Sequence, residues 1–154
     1  NSPQAFVVAP GENTLSGSIG NNGNTGATDG DDADYLSFMV PDGLEIVSIS
    51  VQTYSFVNGN PGGGSFLGYR SGSDFVGQGF DDIDAWTLFF EGALNLLPDL
   101  GQDSLGAGPH AFWLQETNPT VVEYSLSIQV VPEPPVGGLV GCAALLIVGG
   151  RRRR

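Results

Sequence analysis

The sequence predicts an all-β protein: a jelly-roll-type β-sandwich of about eight strands, followed by a short C-terminal hydrophobic helix. Three observations carry this. Ahead of residue 132 the apolar residues recur with period two rather than 3.6. The 24 glycines and ten prolines cut the chain into short segments of strand length. Residues 136–150 are predominantly apolar, carry no charge and run directly into four arginines.

The elements follow in order. Residues 5–8 form a short apolar run, and Leu15, Gly17 and Ile19 alternate with polar neighbours, which predicts two N-terminal strands. Residues 17–30 are dominated by Gly, Asn, Thr and Asp and read as a loop. Leu36, Phe38 and Val40 alternate with Tyr35, Ser37 and Met39. Pro41-Asp42-Gly43 then turns into residues 44–53, where Val47, Ile49 and Val51 share a face, a pattern that predicts a hairpin. After the Gly-rich loop 58–64, residues 66–69 and 85–90 are aromatic strands, the second placing Trp86, Leu88 and Phe90 on one face. Pro98, Gly101, Gly106 and Gly108 break up residues 95–108. Residues 111–115 resume a strand, and Tyr124, Leu126, Ile128 and Val130 alternate with Glu123, Ser125, Ser127 and Gln129 in the clearest half-buried strand of the chain.

At 154 residues the chain is expected to form one domain with a core of its own. Its charge is lopsided. Residues 1–150 hold a single basic residue, Arg70, against 17 acids, a balance of −16. Phosphate binding needs a basic face, so nucleic acid is excluded as a partner. The one cysteine, Cys142, lies in the apolar run, so no disulfide is expected in residues 1–131.

The division expected is an ectodomain over 1–131 and a tail over 132–154, comprising a Pro-rich spacer (132–135), the apolar segment (136–150) and Arg151, Arg152, Arg153 and Arg154. As a helix the 15 residues of the apolar segment would be about 22 Å long, short of a bilayer core of about 30 Å. The arginines would stay on the cytoplasmic side and leave the ectodomain outside. Val131-Pro132-Glu133-Pro134, the apolar run and the terminal Arg cluster resemble the PEP-CTERM sorting signal of bacterial exported proteins. That resemblance implies transient membrane anchoring, recognition by an exosortase-type membrane protease, removal of the segment, and release to the cell surface or exopolysaccharide matrix. An exported chain needs a secretory leader, which is expected to have been removed ahead of Asn1 or to lie outside this sequence.

Residues 30–43, followed by 109–114 and the strand Tyr124-Ser125-Leu126-Ser127-Ile128, resemble the bacterial pre-peptidase C-terminal domain. The resemblance implies a small jelly roll used as an accessory module, some relatives of which bind calcium or matrix polymers. The stretch from 53 to 109 departs from that pattern.

Candidate chemistry is mostly acidic. Asp29, Asp31, Asp32 and Asp34 in a Gly-rich loop are the hard oxygen ligands that Ca²⁺ prefers, and the resemblance to the pre-peptidase C-terminal domain implies Glu12 and Asn13 as further partners. Residues 77–84 resemble one turn of a calcium β-roll and offer a second acidic loop, Asp81, Asp82 and Asp84. Asp and Gly are also the residues from which ordinary turns are made. Catalysis has thin support. His110 is the sole histidine, no Gly-x-Ser-x-Gly elbow is present, and Glu91, Glu116 and Glu123 are the carboxylates that a glycoside hydrolase would need to pair. Trp86, Trp113, Tyr54 and Tyr69 are candidates for a sugar-stacking face. The expectation is a non-catalytic exported structural or adhesive protein. The alternatives are a calcium- or polysaccharide-binding module and a self-associating subunit of an extracellular filament.

Overall fold

The computed structural model describes residues 4–20, 33–58, 64–75, 79–116, 118 and 120–134. Eight strands occur among them: β1 (Gln4–Val7), β2 (Gly11–Gly20), β3 (Asp34–Val40), β4 (Leu44–Asn58), β5 (Ser65–Ser71), β6 (Ala85–Phe89), β7 (Gly108–Gln115) and β8 (Val121–Pro132). They form a five-stranded sheet in the order β1-β3-β7-β5-β6 and a three-stranded sheet in the order β2-β8-β4. Every pairing is antiparallel except β1 on β3. The helical turns among the described residues are two single 3₁₀ turns, Phe80–Asp82 and Pro98–Leu100. The expected all-β, two-sheet architecture is therefore present. The helix expected over 136–150 lies outside the described residues.

Period-two alternation builds the layers. Leu36, Phe38 and Val40 of β3, Phe112 and Leu114 of β7, and Val122, Tyr124, Leu126, Ile128 and Val130 of β8 all enter one buried cluster between the sheets. The intervening β8 residues Glu123 and Ser125 face outward, as the alternation predicts. Phe89 of β6 meets Tyr54 and Tyr124 edge-on across the layers, at centroid distances of 5.7 and 6.0 Å.

The hairpin expected from 35 to 53 does not form. The turn at residues 41–43 closes with Leu44 N–H donating to the Pro41 carbonyl (3.1 Å). It carries the chain from one sheet to the other, so β3 pairs with β7 and β4 with β8. The physical reason is that both strands bury an apolar face. With β7 pairing β3 in one sheet and β8 pairing β4 in the other, those faces meet across the core.

Residues 93–105 do more than connect. They run along the free edge of β4, where Ile46 and Leu105 exchange backbone hydrogen bonds (2.8 and 2.9 Å), Leu96 donates to Ile49 and Val51 donates to Ala93. The Asn95 side chain accepts from the Ile49 and Leu97 amides and donates to the Val47 carbonyl. Pro98 opens the 3₁₀ turn and Gly101 closes it at φ 69°, a left-handed conformation suited to glycine. The result seats Leu96, Leu97, Leu100 and Leu105 in the core.

The layers are also tied at one mouth by Asp34, whose Oδ2 accepts from the Tyr124 hydroxyl at 2.6 Å. A Cβ on Gly17 would sit 2.6 Å from that hydroxyl and 2.7 Å from that carboxylate oxygen. Gly17→Ala is thus expected to push the pair apart and destabilise the fold by about 1–3 kcal/mol, read as a lower midpoint in chemical denaturation. An unchanged midpoint would mean that the pair moves aside without cost.

Candidate functional site

Among the described residues the acidic candidates do not converge. Asp29, Asp31 and Asp32 lie outside the described residues. Asp34 is half-buried and engaged by Tyr124. Glu12 accepts from Ser127 Oγ (2.6 Å), and Asn13 folds back on its own turn, bonding Ala9 through both side-chain atoms. In the second loop Asp82 and Asp84 turn to separate partners. Asp82 accepts from the Gly79 amide and lies 3.9 Å from Arg70, Asp84 accepts from the Ser71 amide at 2.7 Å, and Asp81 is exposed. Among the described residues no three His, Cys, Asp or Glu side chains are grouped to hold a metal ion.

Groups that acid–base chemistry would use are in structural contacts. The His110 ring is buried with Nε2 on the Gly106 carbonyl (2.8 Å) and Nδ1 on the Tyr69 hydroxyl (3.1 Å). Both ring nitrogens are thus engaged within the fold. Glu116 is 1% exposed. Its Oε2 accepts from Ser65 Oγ (2.7 Å) and the Tyr54 hydroxyl (3.3 Å), and its Oε1 accepts from the Asn118 backbone and side-chain N–H groups (2.8 Å each). Burial pushes the Tyr54 phenol above its ordinary value, as it does for Tyr69 and Tyr35. Glu91 is exposed in the turn after β6, and Glu123 faces outward on the three-stranded sheet. Glu123 borders an open, shallow depression of about 460 Å³ lined otherwise by Ser16, Gly17, Ser18, Thr53 and Tyr124. Glu116 and Glu123 thus occupy different surroundings, one sealed in the interior and one in solvent.

The four aromatic candidates divide. Tyr54 and Tyr69 belong to the core between the sheets. Trp86 and Trp113 instead lie on the outer face of the five-stranded sheet, where Gly68 of β5 is the register partner of both. That face carries a second cluster, in which Phe66, Phe75, Ala111 and Trp113 are backed by Ala33, Tyr35 and Ile83. Tyr35 stacks on Trp113 (5.6 Å, 21°), Phe66 meets Trp113 edge-on (5.3 Å, 74°), and Trp86 stacks on Phe66 (6.2 Å, 27°). A Cβ at Gly68 would be 3.1 Å from the Phe66 ring and from Ile83, so this glycine leaves the room in which Phe66 lies against Trp86. Phe66 and Phe75, which bank Trp86 and Trp113, went unread as site residues, because strand register places the first and a loop beyond β5 the second.

At the other end of the chain β8 continues through Val131 and Pro132, which pair with Glu45 and Leu44 of β4. Glu133 N–H then donates to the Gly43 carbonyl at 2.9 Å, and the Glu133 and Pro134 side chains are exposed. Arg151, Arg152, Arg153 and Arg154 lie outside the described residues.

What the fold and these groups define is an acidic two-sheet β protein with aromatic rings banked on one outer face. Compared with protein-family models, curated proteins and solved structures, the chain finds no match in any of the three.

Proposed function

We propose that this chain is a non-catalytic, exported structural or adhesive protein of the bacterial cell surface or extracellular matrix, sorted by its PEP-CTERM-like tail. One observation carries the reading: Glu133 and Pro134, the second half of the Val-Pro-Glu-Pro stretch, stand exposed where the chain leaves the sheet. A protease reaches a cut site only in accessible chain. The four terminal arginines behind an uncharged run agree with an export stop. The contacts that hold His110 and Glu116 favour a structural role for both over a catalytic one.

The finer fold assigned is a jelly roll. It is supported by the way the chain crosses between sheets, so that β2-β8-β4 faces β3-β7-β5-β6. With β1 set aside as an extra edge strand, residues 93–105 lie against β4 where the eighth strand of such a sandwich would pair.

Expression in a host with and without an exosortase, followed by mass spectrometry of the C-terminus, tests the sorting. The expected product with the protease is an extracellular chain that has lost residues 136–154. A chain that still ends at Arg154 inside the cell in both hosts would refute it.

A further inference from the structure

Among the described residues, the exposed side of the chain at β6 leaves a row of large apolar side chains uncovered. Trp86, Leu88 and Phe90 alternate along one side of the chain and are 58%, 47% and 56% exposed, whereas Phe89 between them is fully buried. A solvent-facing sheet needs no such residues for folding, and large exposed apolar groups in a row mark an interaction site. Trp86 is also held in place. Its indole lies on Phe66, which is braced by Trp113 and in turn by Tyr35, a chain of four rings running across the sheet. A ring fixed from below with more than half its surface open loses little freedom when something stacks on it.

We propose that this stripe is a stacking platform for a neutral polysaccharide, with one sugar ring on Trp86 and a second on Phe90. Four residues of extended chain separate those rings by about 13 Å, so they meet separate sugars of one chain. Size and charge select this occupant. A stable protein interface buries about 800 Å² on each partner from some 20 residues, and three side chains in a line are too narrow for that. Asp84 and Glu91, both exposed, flank the stripe at its two ends. The same exposed carboxylates repel a polyuronate, while they accept hydrogen bonds from uncharged sugar hydroxyls. The inference deepens the extracellular reading and rests on it only for where the polymer is met.

The test uses the full chain and titrates its tryptophan fluorescence with hexasaccharides of glucose, mannose, galactose and N-acetylglucosamine, and with a hexauronate. At least one neutral hexasaccharide is expected to bind. Trp86→Ala should weaken it by about tenfold or more and Phe90→Ala by less, while Leu94→Ala, at an 88% exposed position off the stripe, leaves it unchanged. Trp86→Phe keeps a ring and should retain part of the affinity, which guards against loss through misfolding. The proposal is overturned by failure of all four neutral sugars, by equal or tighter binding of the hexauronate, or by binding that survives Trp86→Ala. Self-association abolished by Trp86→Ala would also overturn it in favour of a second copy. Failure here leaves the C-terminal mass unaffected, so the two readings fall separately.

Discussion

Glu116→Ala is expected to lower stability by about 3 kcal/mol, seen as a melting midpoint some 6–12 °C lower. The carboxylate ties its own turn at Asn118 to Tyr54 in β4 and Ser65 in β5, which lie 62 and 51 positions earlier. Removing it leaves a void and strips four donor groups of their acceptor in a place where water does not replace it, since Glu116 is 1% exposed. Glu116→Gln keeps the volume and one carbonyl oxygen, and the Ser65 hydroxyl can turn to accept from the new amide. Its cost should therefore be nearer 1 kcal/mol. Denaturant titration of both variants reads the difference. If alanine and glutamine cost the same, loss of the carboxylate accounts for the whole effect and the volume it fills contributes nothing.

Phe89→Ala is the other large effect expected, about 3–5 kcal/mol. The ring is fully buried and is the part of β6 that meets the facing sheet, edge-on to Tyr54 and Tyr124. Its neighbour supplies the control. Phe90 is of the same size and 56% exposed, so Phe90→Ala should stay within about 0.5 kcal/mol of the parent. Adjacent phenylalanines with opposite consequences are what a strand between core and solvent requires. Urea melts that gave the two variants similar midpoints would contradict the placement of β6.

That contrast shows what was legible from sequence. Alternation identifies which residues share a face, and for β8 it also identified the buried side, because serine, glutamate and glutamine mark the opposite one. For β6 both faces are apolar, so alternation named the set Trp86, Leu88 and Phe90 without telling solvent from core. Pattern also stops short of pairing. A tight turn at 41–43 suits a hairpin and a crossing between sheets equally, and the choice is made by β7 and β8, which lie far along the chain. Residues 93–105 were opaque for a different reason. Leu96, Leu97, Leu100 and Leu105 follow neither strand nor helix periodicity, since they close one side of the sandwich from a segment held by isolated backbone bonds to β4.

The candidate chemistry was legible as composition and not as geometry. Asp82 and Asp84 are two positions apart, yet a 3₁₀ turn aims one at the Gly79 amide and Arg70 and the other at the Ser71 amide. Proximity in sequence therefore overstated their convergence. Glu116 erred the other way. Nothing beside it marks it as interior, because its donors Ser65 and Tyr54 stand 51 and 62 positions earlier.

The strand that leads into the C-terminal segment is the middle one of its sheet, bonded to β2 along one side and β4 along the other. A mechanical load entering at Glu133 along the axis of β8 therefore meets both ladders in shear. Many hydrogen bonds must break together, where an edge strand would peel away one rung at a time. A protein gripped at that point resists extraction far better than its small size implies.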